Sequence, residues 1–208
     1  MQIMEDKPLF RILVTGYGPF RESGENVTQC IINDVFGSWK PDGCKLHSLV
    51  IPVLWDAVKK DFLRELEGFR PDLVISLGQA DGCGKITVET DYYNIAIGKD
   101  NQGLEWQSGI IVRDGSRIYR TSVDIARVMA EIQDRTPFAI HGGIRGMDYL
   151  CNFAAYLAAR YCRALNKPAK NIFIHVPPPK DLEYEITLRA LRALFEEILK
   201  NSAIMPIG

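Results

Sequence analysis

Residues 72–82 read Asp72-Leu73-Val74-Ile75-Ser76-Leu77-Gly78-Gln79-Ala80-Asp81-Gly82. The first six are short, β-branched and almost uniformly apolar, the pattern of a central strand buried on both faces. Pro71 breaks the helix-period segment before them, and Gly78 to Gly82 is a loop leaving the strand's carboxyl end. A strand covered on both faces needs helices above and below it. The stretch therefore selects a layered α/β domain over an all-α or all-β one.

The flanking segments keep the alternation. Residues 10–15 (FRILVT) read as a strand that exits through Gly16-Tyr17-Gly18-Pro19-Phe20, and a helix is expected over 27–36 with Asn26 and Gln29 as its capping box. A strand over 46–53 precedes a helix over 55–69, where Val58, Phe62, Leu63 and Leu66 recur at helical spacing. Residues 85–120 change to short extended pieces punctuated by Gly98, Gly103, Gly109 and Gly115, the mark of an antiparallel excursion. Then follow a helix over 122–133, a strand over 138–141, the glycine-rich connection 142–146, a helix over 149–165, a strand over 171–176 and a helix over 182–199.

Composition bounds the rest. The chain has 208 residues, 47% hydrophobic and 25% charged, which predicts one globular domain over residues 1–208. Its 25 basic residues nearly cancel 26 acidic ones, so there is no general electrostatic footprint for nucleic acid or an anionic membrane. No apolar run approaches the roughly 20 residues of a membrane-spanning helix. Residues 1–10 carry Glu5, Asp6 and Lys7 and lack the pattern of a secretion signal. Five cysteines without scaffold spacing point to a reducing cytoplasm, and with three histidines and no Cys/His cluster no metal is expected.

In open α/β sheets, ligands gather outside the carboxyl ends of strands, which selects the loops at Gly16, Gly78, Gly142 and Val176. Cys151 falls in the first turn of its helix, where unpaired amides favour a thiolate; alternatively it is a small buried helix residue. His175 ends the apolar run Ile172-Phe173-Ile174 and is either a general base or a hydrogen-bonded core histidine. His141 ends another strand and competes for the same role. Glu89, in ITVET, either orients an imidazole or is a solvated charge on an edge strand. Gly16-Tyr17-Gly18 lacks the third glycine and helix start of a dinucleotide loop. Tyr17 and Phe20 instead offer aromatic faces to a pocket or pack the loop.

These residues lie in fragments that together resemble the type I pyroglutamyl peptidases, also called pyrrolidone-carboxylate peptidases. The fragments are ILVTGYGPF with Asn26 downstream, IPV, RPDLVISLGQA, ITVET with Asn94 and DNQG, YLCN, and IFIHVP, spanning about residues 12–177. The resemblance implies an α/β/α fold with a mostly parallel central sheet and a cysteine exopeptidase that removes an N-terminal pyroglutamyl residue without a cofactor. It places the nucleophile on Cys151, the histidine on His175 and the acidic member on Glu89. The aromatics enclosing the lactam fall on Tyr17 and Phe20, and the amide beside it on Gln79. Asn26 matches a family asparagine, and Leu150 takes the apolar position beside the nucleophile. Flat aromatic walls and a few amide partners suit a five-membered lactam, whose faces are apolar and whose edge carries N–H and C=O. The implied partner is a peptide with N-terminal pyroglutamate, and the implied assembly a homo-oligomer, dimer or tetramer.

The sequence departs from the family pattern at Arg21-Glu22, at Thr90, where the family has arginine, and at Met147-Asp148, where a glycine would precede the nucleophile helix. Asp148 is expected to cap that helix. These departures keep two other readings in view: a cysteine amidohydrolase acting on another small N-acyl or lactam compound, and a binding protein that retains the pocket without turnover.

Overall fold

The computed structural model describes residues 9–20, 24–37, 39–132, 137–143, 147–165 and 169–203. In chain order the strands are β1 (Phe10–Tyr17), β2 (Cys44–Ile51), β3 (Leu73–Gln79), β4 (Ile86–Glu89), β5 (Asp91–Tyr93), β6 (Ile118–Arg120), β7 (Phe138–His141) and β8 (Lys170–Val176). The helices are α1 (Val27–Ile31), α2 (Leu63–Phe69), α3 (Ile125–Ile132), α4 (Leu150–Ala164) and α5 (Tyr184–Ala203). Six strands form one sheet in the order β2-β1-β3-β8-β4-β7, and β5 pairs with β6 in a separate antiparallel ribbon.

The stretch at 72–79 lies at the centre: β3 runs parallel to β1 on one side and to β8 on the other. Its side chains divide by alternation. Leu73, Ile75 and Leu77 join Ile12, Val14, Ile172 and Ile174 on the face covered by α1, α3 and α5. Val74 joins Leu13 and Phe173 on the face covered by α2 and α4. In α5, Leu191, Leu194, Phe195 and Ile198 recur at helical spacing and are fully buried. At about 25 cal/mol per Å² of apolar surface, the two buried layers are the main force holding the sheet between its helices.

The structure differs from the sequence expectations in local geometry. The helices expected at 27–36 and 55–69 contain π-helical turns at Ile32–Phe36 and Ala57–Phe62, because apolar spacing does not distinguish a 3.6-residue turn from a slightly wider one. Asn26 does cap α1, but its Oδ1 accepts from the Thr28 amide rather than forming the expected box with Gln29. The third helix starts at Ile125, not Ser122. Thr121 and Ser122 instead hydrogen-bond Asn171 of β8 and hold the approach extended.

The segment read as one antiparallel excursion divides in two. Ile86 and Val88 are fully buried, so β4 joins the main sheet, antiparallel to β8 and parallel to β7. As β7 therefore runs against β8, the Gly142 loop does not leave from the carboxyl edge of β1, β3 and β8, contrary to the rule that selected it. The expected helix end at Gln133, the departures at Arg21-Glu22 and residues 144–146 of the glycine-rich connection lie outside the described residues. Among the described residues no helix is long and apolar enough to cross a membrane.

Candidate active site

The sheet order brings three strands with polar residues to one place. Glu89 pairs with His141 in the β4–β7 register and with Phe173 in the β4–β8 register, and His175 sits opposite Thr87. Residues 87 and 89, like 173 and 175, share a face by alternation, so Glu89, His141 and His175 all project toward the α4 side. Glu89 is 4% exposed. Its Oε1 lies 2.7 Å from His175 Nδ1, and its Oε2 lies 2.6 Å from His141 Nδ1. The solvated edge-strand alternative for Glu89 is therefore wrong: β4 is an interior strand and the carboxylate is buried.

With Nδ1 engaged by Glu89, Nε2 is the nitrogen left to His175 to face the Cys151 side chain beside it. Burial favours the neutral ring. The hydrogen bonds to Cys151 and Glu89, with their charges, outweigh it and push His175 up to about 10. The ring also packs edge-on against Phe173, with centroids 5.1 Å apart.

Cys151 is the second residue of α4, which begins after Tyr149, and the helix's first bond from the Tyr149 carbonyl goes to the Phe153 amide at 2.9 Å. The amides of Leu150, Cys151 and Asn152 thus have no carbonyl one turn earlier in the helix, leaving donors and the positive helix end beside the thiol. Asp148 does not cap α4, since its N-cap is Tyr149 and makes no side-chain capping bond. The Asp148 carbonyl instead accepts from the Ile97 amide at 2.6 Å, and the Tyr149 hydroxyl donates to the Lys99 carbonyl at 2.7 Å. Met147 is fully buried in the core layer under α4.

A cleft of about 1030 Å³ opens above the thiol, lined by Tyr17, Phe20, Asn26, Val53, Gln79, Asp81, Asn101, Tyr149, Leu150 and Cys151. All five residues expected to hold substrate thus lie around Cys151, while His175 and Glu89 lie beneath it. Tyr17 donates its hydroxyl to the Leu150 carbonyl at 2.8 Å. Burial, then the neighbouring Cys151 and Tyr149 charges, keep that phenol well above its ordinary range and hence protonated. Phe20 meets Tyr149 edge-on at 6.0 Å. Gln79 accepts from the Val27 amide and donates to Asp81 Oδ1, both at 2.9 Å, which fixes its amide orientation. Asn101 ties the rim by donating to the Pro19 carbonyl at 2.8 Å.

The other sulfur and imidazole groups lie elsewhere. Cys162 is buried in α4 and pushed up to about 12 by that burial. Cys30 and Cys44 are raised by burial and then by nearby carboxylates. His47 meets Glu65 at 3.1 Å across β2 and α2. All five cysteines are free, and among the described residues no group of three or more His, Cys, Asp or Glu side chains is arranged to hold a metal.

Two further residues take places at the site that the sequence does not show. His141 was weighed only as a rival to His175, and its place against Glu89 depends on β7 pairing with β4. Asn152, visible only as the last letter of YLCN, is fully buried. It accepts from the Tyr93 amide and donates to the Tyr93 and Ile95 carbonyls, each at 2.8 Å, clamping the β5 segment to α4.

The family model for pyroglutamyl peptidase matches residues 10–187. A pyrrolidone-carboxylate peptidase of Pyrococcus furiosus is 28% identical over 207 residues, covering 92% of this chain and 99% of that one. Pyroglutamyl-peptidase 1 of Rattus norvegicus is 28% identical over 93% of this chain and 92% of its own length. The solved structure of a variant pyrrolidone carboxyl peptidase from P. furiosus superposes with a TM-score of 0.84 at 27% identity, over 94% of this chain and 100% of that one. With the match running from β1 through the start of α5 and taking in Glu89, Cys151 and His175, the chain belongs to the pyroglutamyl peptidase family.

Proposed function

We propose that this protein is a cysteine exopeptidase that removes an N-terminal pyroglutamyl residue from peptides, with Cys151 as nucleophile, His175 as general base and acid, and Glu89 as the group that orients His175. The observation that carries this reading is His175 set between Cys151, with which it interacts, and Glu89, to which it is hydrogen-bonded, at the floor of an aromatic-walled cleft. Family membership supplies the substrate class.

In the reaction, His175 Nε2 takes the proton of Cys151 and the thiolate attacks the carbonyl joining pyroglutamate to the next residue. The tetrahedral oxyanion is met by amides of the first turn of α4, which point out of the helix end. Collapse breaks the C–N bond, and the imidazolium returns its proton to the leaving amine. Water, deprotonated by His175, then hydrolyses the thioester and frees pyroglutamate and the thiol. Glu89 stabilises the imidazolium in both halves without itself taking the proton. Tyr17 and Phe20 flank the lactam ring, and Gln79 and Asn26 offer amide partners to its edge. The free cysteines suit a reducing cytoplasm.

The burial of Met147 favours the peptidase reading over the broader amidohydrolase one: its side chain fills the core and is not among the residues lining the cleft. Hydrolysis of a pyroglutamyl fluorogenic amide under reducing conditions tests the reading. Turnover by the wild type and its loss in Cys151→Ser are expected; a wild type that fails to turn over the substrate would overturn it.

A further inference from the structure

Glu89 has two carboxylate oxygens, and the mechanism uses only one. Oε1 faces His175, while Oε2 is 2.6 Å from Nδ1 of His141, on the strand flanking β4 on its other side. His141 is absent from the residues lining the cleft, its side chain is 35% exposed, and its strand ends the sheet. What it supplies is an N–H donor aimed at a buried carboxylate.

The terminal torsion of a glutamate is broad and roughly two-fold, so a carboxylate anchored at one oxygen still swings about that bond. A second donor from the opposite side removes the freedom. We propose that His141 is a positioning residue: by donating its Nδ1–H to Oε2 it holds the Glu89 carboxylate in the rotation that presents Oε1 to His175 Nδ1, and so keeps His175 Nε2 on Cys151. The proposal rests on the catalytic roles assigned to Cys151, His175 and Glu89 above.

The backbone supports the same geometry. Thr90 donates its amide to the His141 carbonyl at 2.9 Å and its hydroxyl to the same oxygen at 3.2 Å, locking the end of β7 to the end of β4. The Tyr92 hydroxyl donates to the Glu89 carbonyl at 3.2 Å and accepts from the Phe173 amide at 3.1 Å, which fixes β4 against β8. Both strands carrying the imidazoles are thus tied to the carboxylate's own strand. Thr90 stands where the family resemblance leads one to expect arginine, and here it serves this junction.

Among the described residues, these charged and titratable groups lie around His141. Glu89 faces it from β4, and His175 lies beyond Glu89 on β8, with Cys151 behind it on α4. A Cβ on the adjacent Gly142 would lie 2.9 Å from Asp91 Oδ2 of the β5–β6 ribbon, and Asp91 is paired with Arg120 at 3.0 Å. The Tyr92 hydroxyl lies beside them, on the Glu89 carbonyl. The two Nδ1 atoms thus face the Glu89 carboxylate from opposite sides, one at each oxygen.

The test compares two full-length variants with the wild type on a pyroglutamyl fluorogenic amide. His141→Leu removes the donor at similar volume, and His141→Asn keeps an N–H near the position of Nδ1. In His141→Leu, kcat is expected to fall about tenfold, in the range of a sub-ångström misplacement of a reacting group, with KM within about twofold. The acid limb of its kcat/KM profile moves to lower pH, because a swinging carboxylate stabilises the imidazolium less and His175 gives up its proton more readily. His141→Asn is expected to recover both the rate and the profile to near wild type. His141→Ala repeats the donor removal should the leucine variant fail to fold. Wild-type kcat and pH profile in a folded non-donor variant would overturn the proposal, as would equal loss in the asparagine and leucine variants. An inactive wild type would instead overturn the catalytic reading beneath it, so the two failures are distinguishable.

Discussion

Gly78 and Cys151 are packed so closely that a side chain at position 78 has no room: a Cβ there would lie 3.0 Å from Cys151 Sγ and 2.8 Å from Cζ of Phe173. Gly78 is level with His175 in the β3–β8 register, so the missing side chain is the space in which thiol and imidazole meet. Gly78→Ala should therefore displace the thiol. We expect kcat/KM to fall about 100-fold, the scale of a 1 Å misplacement, and stability to fall by about 1–3 kcal/mol from overpacking. Steady-state kinetics with thermal melts will decide, and unchanged kcat/KM would mean that Cys151 and Phe173 yield without consequence.

Tyr17 holds the start of α4 from the opposite wall of the cleft. Its hydroxyl bond to Leu150 is buried, but the Leu150 carbonyl also lies within the helical bonding pattern, so Tyr17→Phe removes one bond without orphaning the acceptor. A loss of about 1 kcal/mol in urea unfolding is expected. On the proposed function the ring would still flank the lactam, so KM should change by less than about threefold. A tenfold rise in KM would show that the hydroxyl, not the ring, binds substrate.

Asn152 carries a larger structural share. Replacing it with alanine leaves the Tyr93 amide and the Tyr93 and Ile95 carbonyls without their side-chain partners. At about 1 kcal/mol per bond, Asn152→Ala should lower stability by about 3 kcal/mol. That corresponds to a fall of roughly 6–12 °C in Tm for a chain of this length. Asn152→Asp should fall at least as far, since an acid supplies no donors to the two carbonyls. A Tm within about 2 °C of wild type in either variant would contradict the clamp.

How much of this was legible in the sequence depends on whether a feature is local. The apolar stretch at 72–77 announced a central strand because burial on both faces leaves its mark on every residue, and the cysteine in a first helical turn was visible from one connection and one periodicity. The five residues around the cleft were legible through the resemblance, which carries them as short ordered fragments. The partner of Glu89 Oε2 was not legible. It depends on β7 inserting beside β4 and running against β8, and strand order is written in no single segment. The same holds for Asp148, whose residue type suits a cap but whose backbone is drawn to Ile97 by a loop arriving from 50 residues upstream. Gly78 looked like a turn residue and proves to be a spacer, a difference that only the position of Phe173 and Cys151 reveals.

The protonation of His175 links the site to stability with a definite sign. Its imidazole is raised from 6.5 to about 10 in the folded protein, where Cys151 and Glu89 overcome the opposing effect of burial. A group whose folded value lies above its unfolded value stabilises the fold fully below the unfolded value, and loses that contribution as pH rises toward the folded one. The contribution should thus be complete below about pH 6.5 and decline between there and about pH 10. Glu89→Gln removes one of the two partners, so its unfolding free energy should fall less steeply across that window than the wild type's, whatever the absolute stability of the variant. Urea unfolding at intervals from pH 6 to 10 measures both slopes. Parallel slopes would mean that the carboxylate does not hold the imidazolium, and would count against its assigned role in the reaction as well.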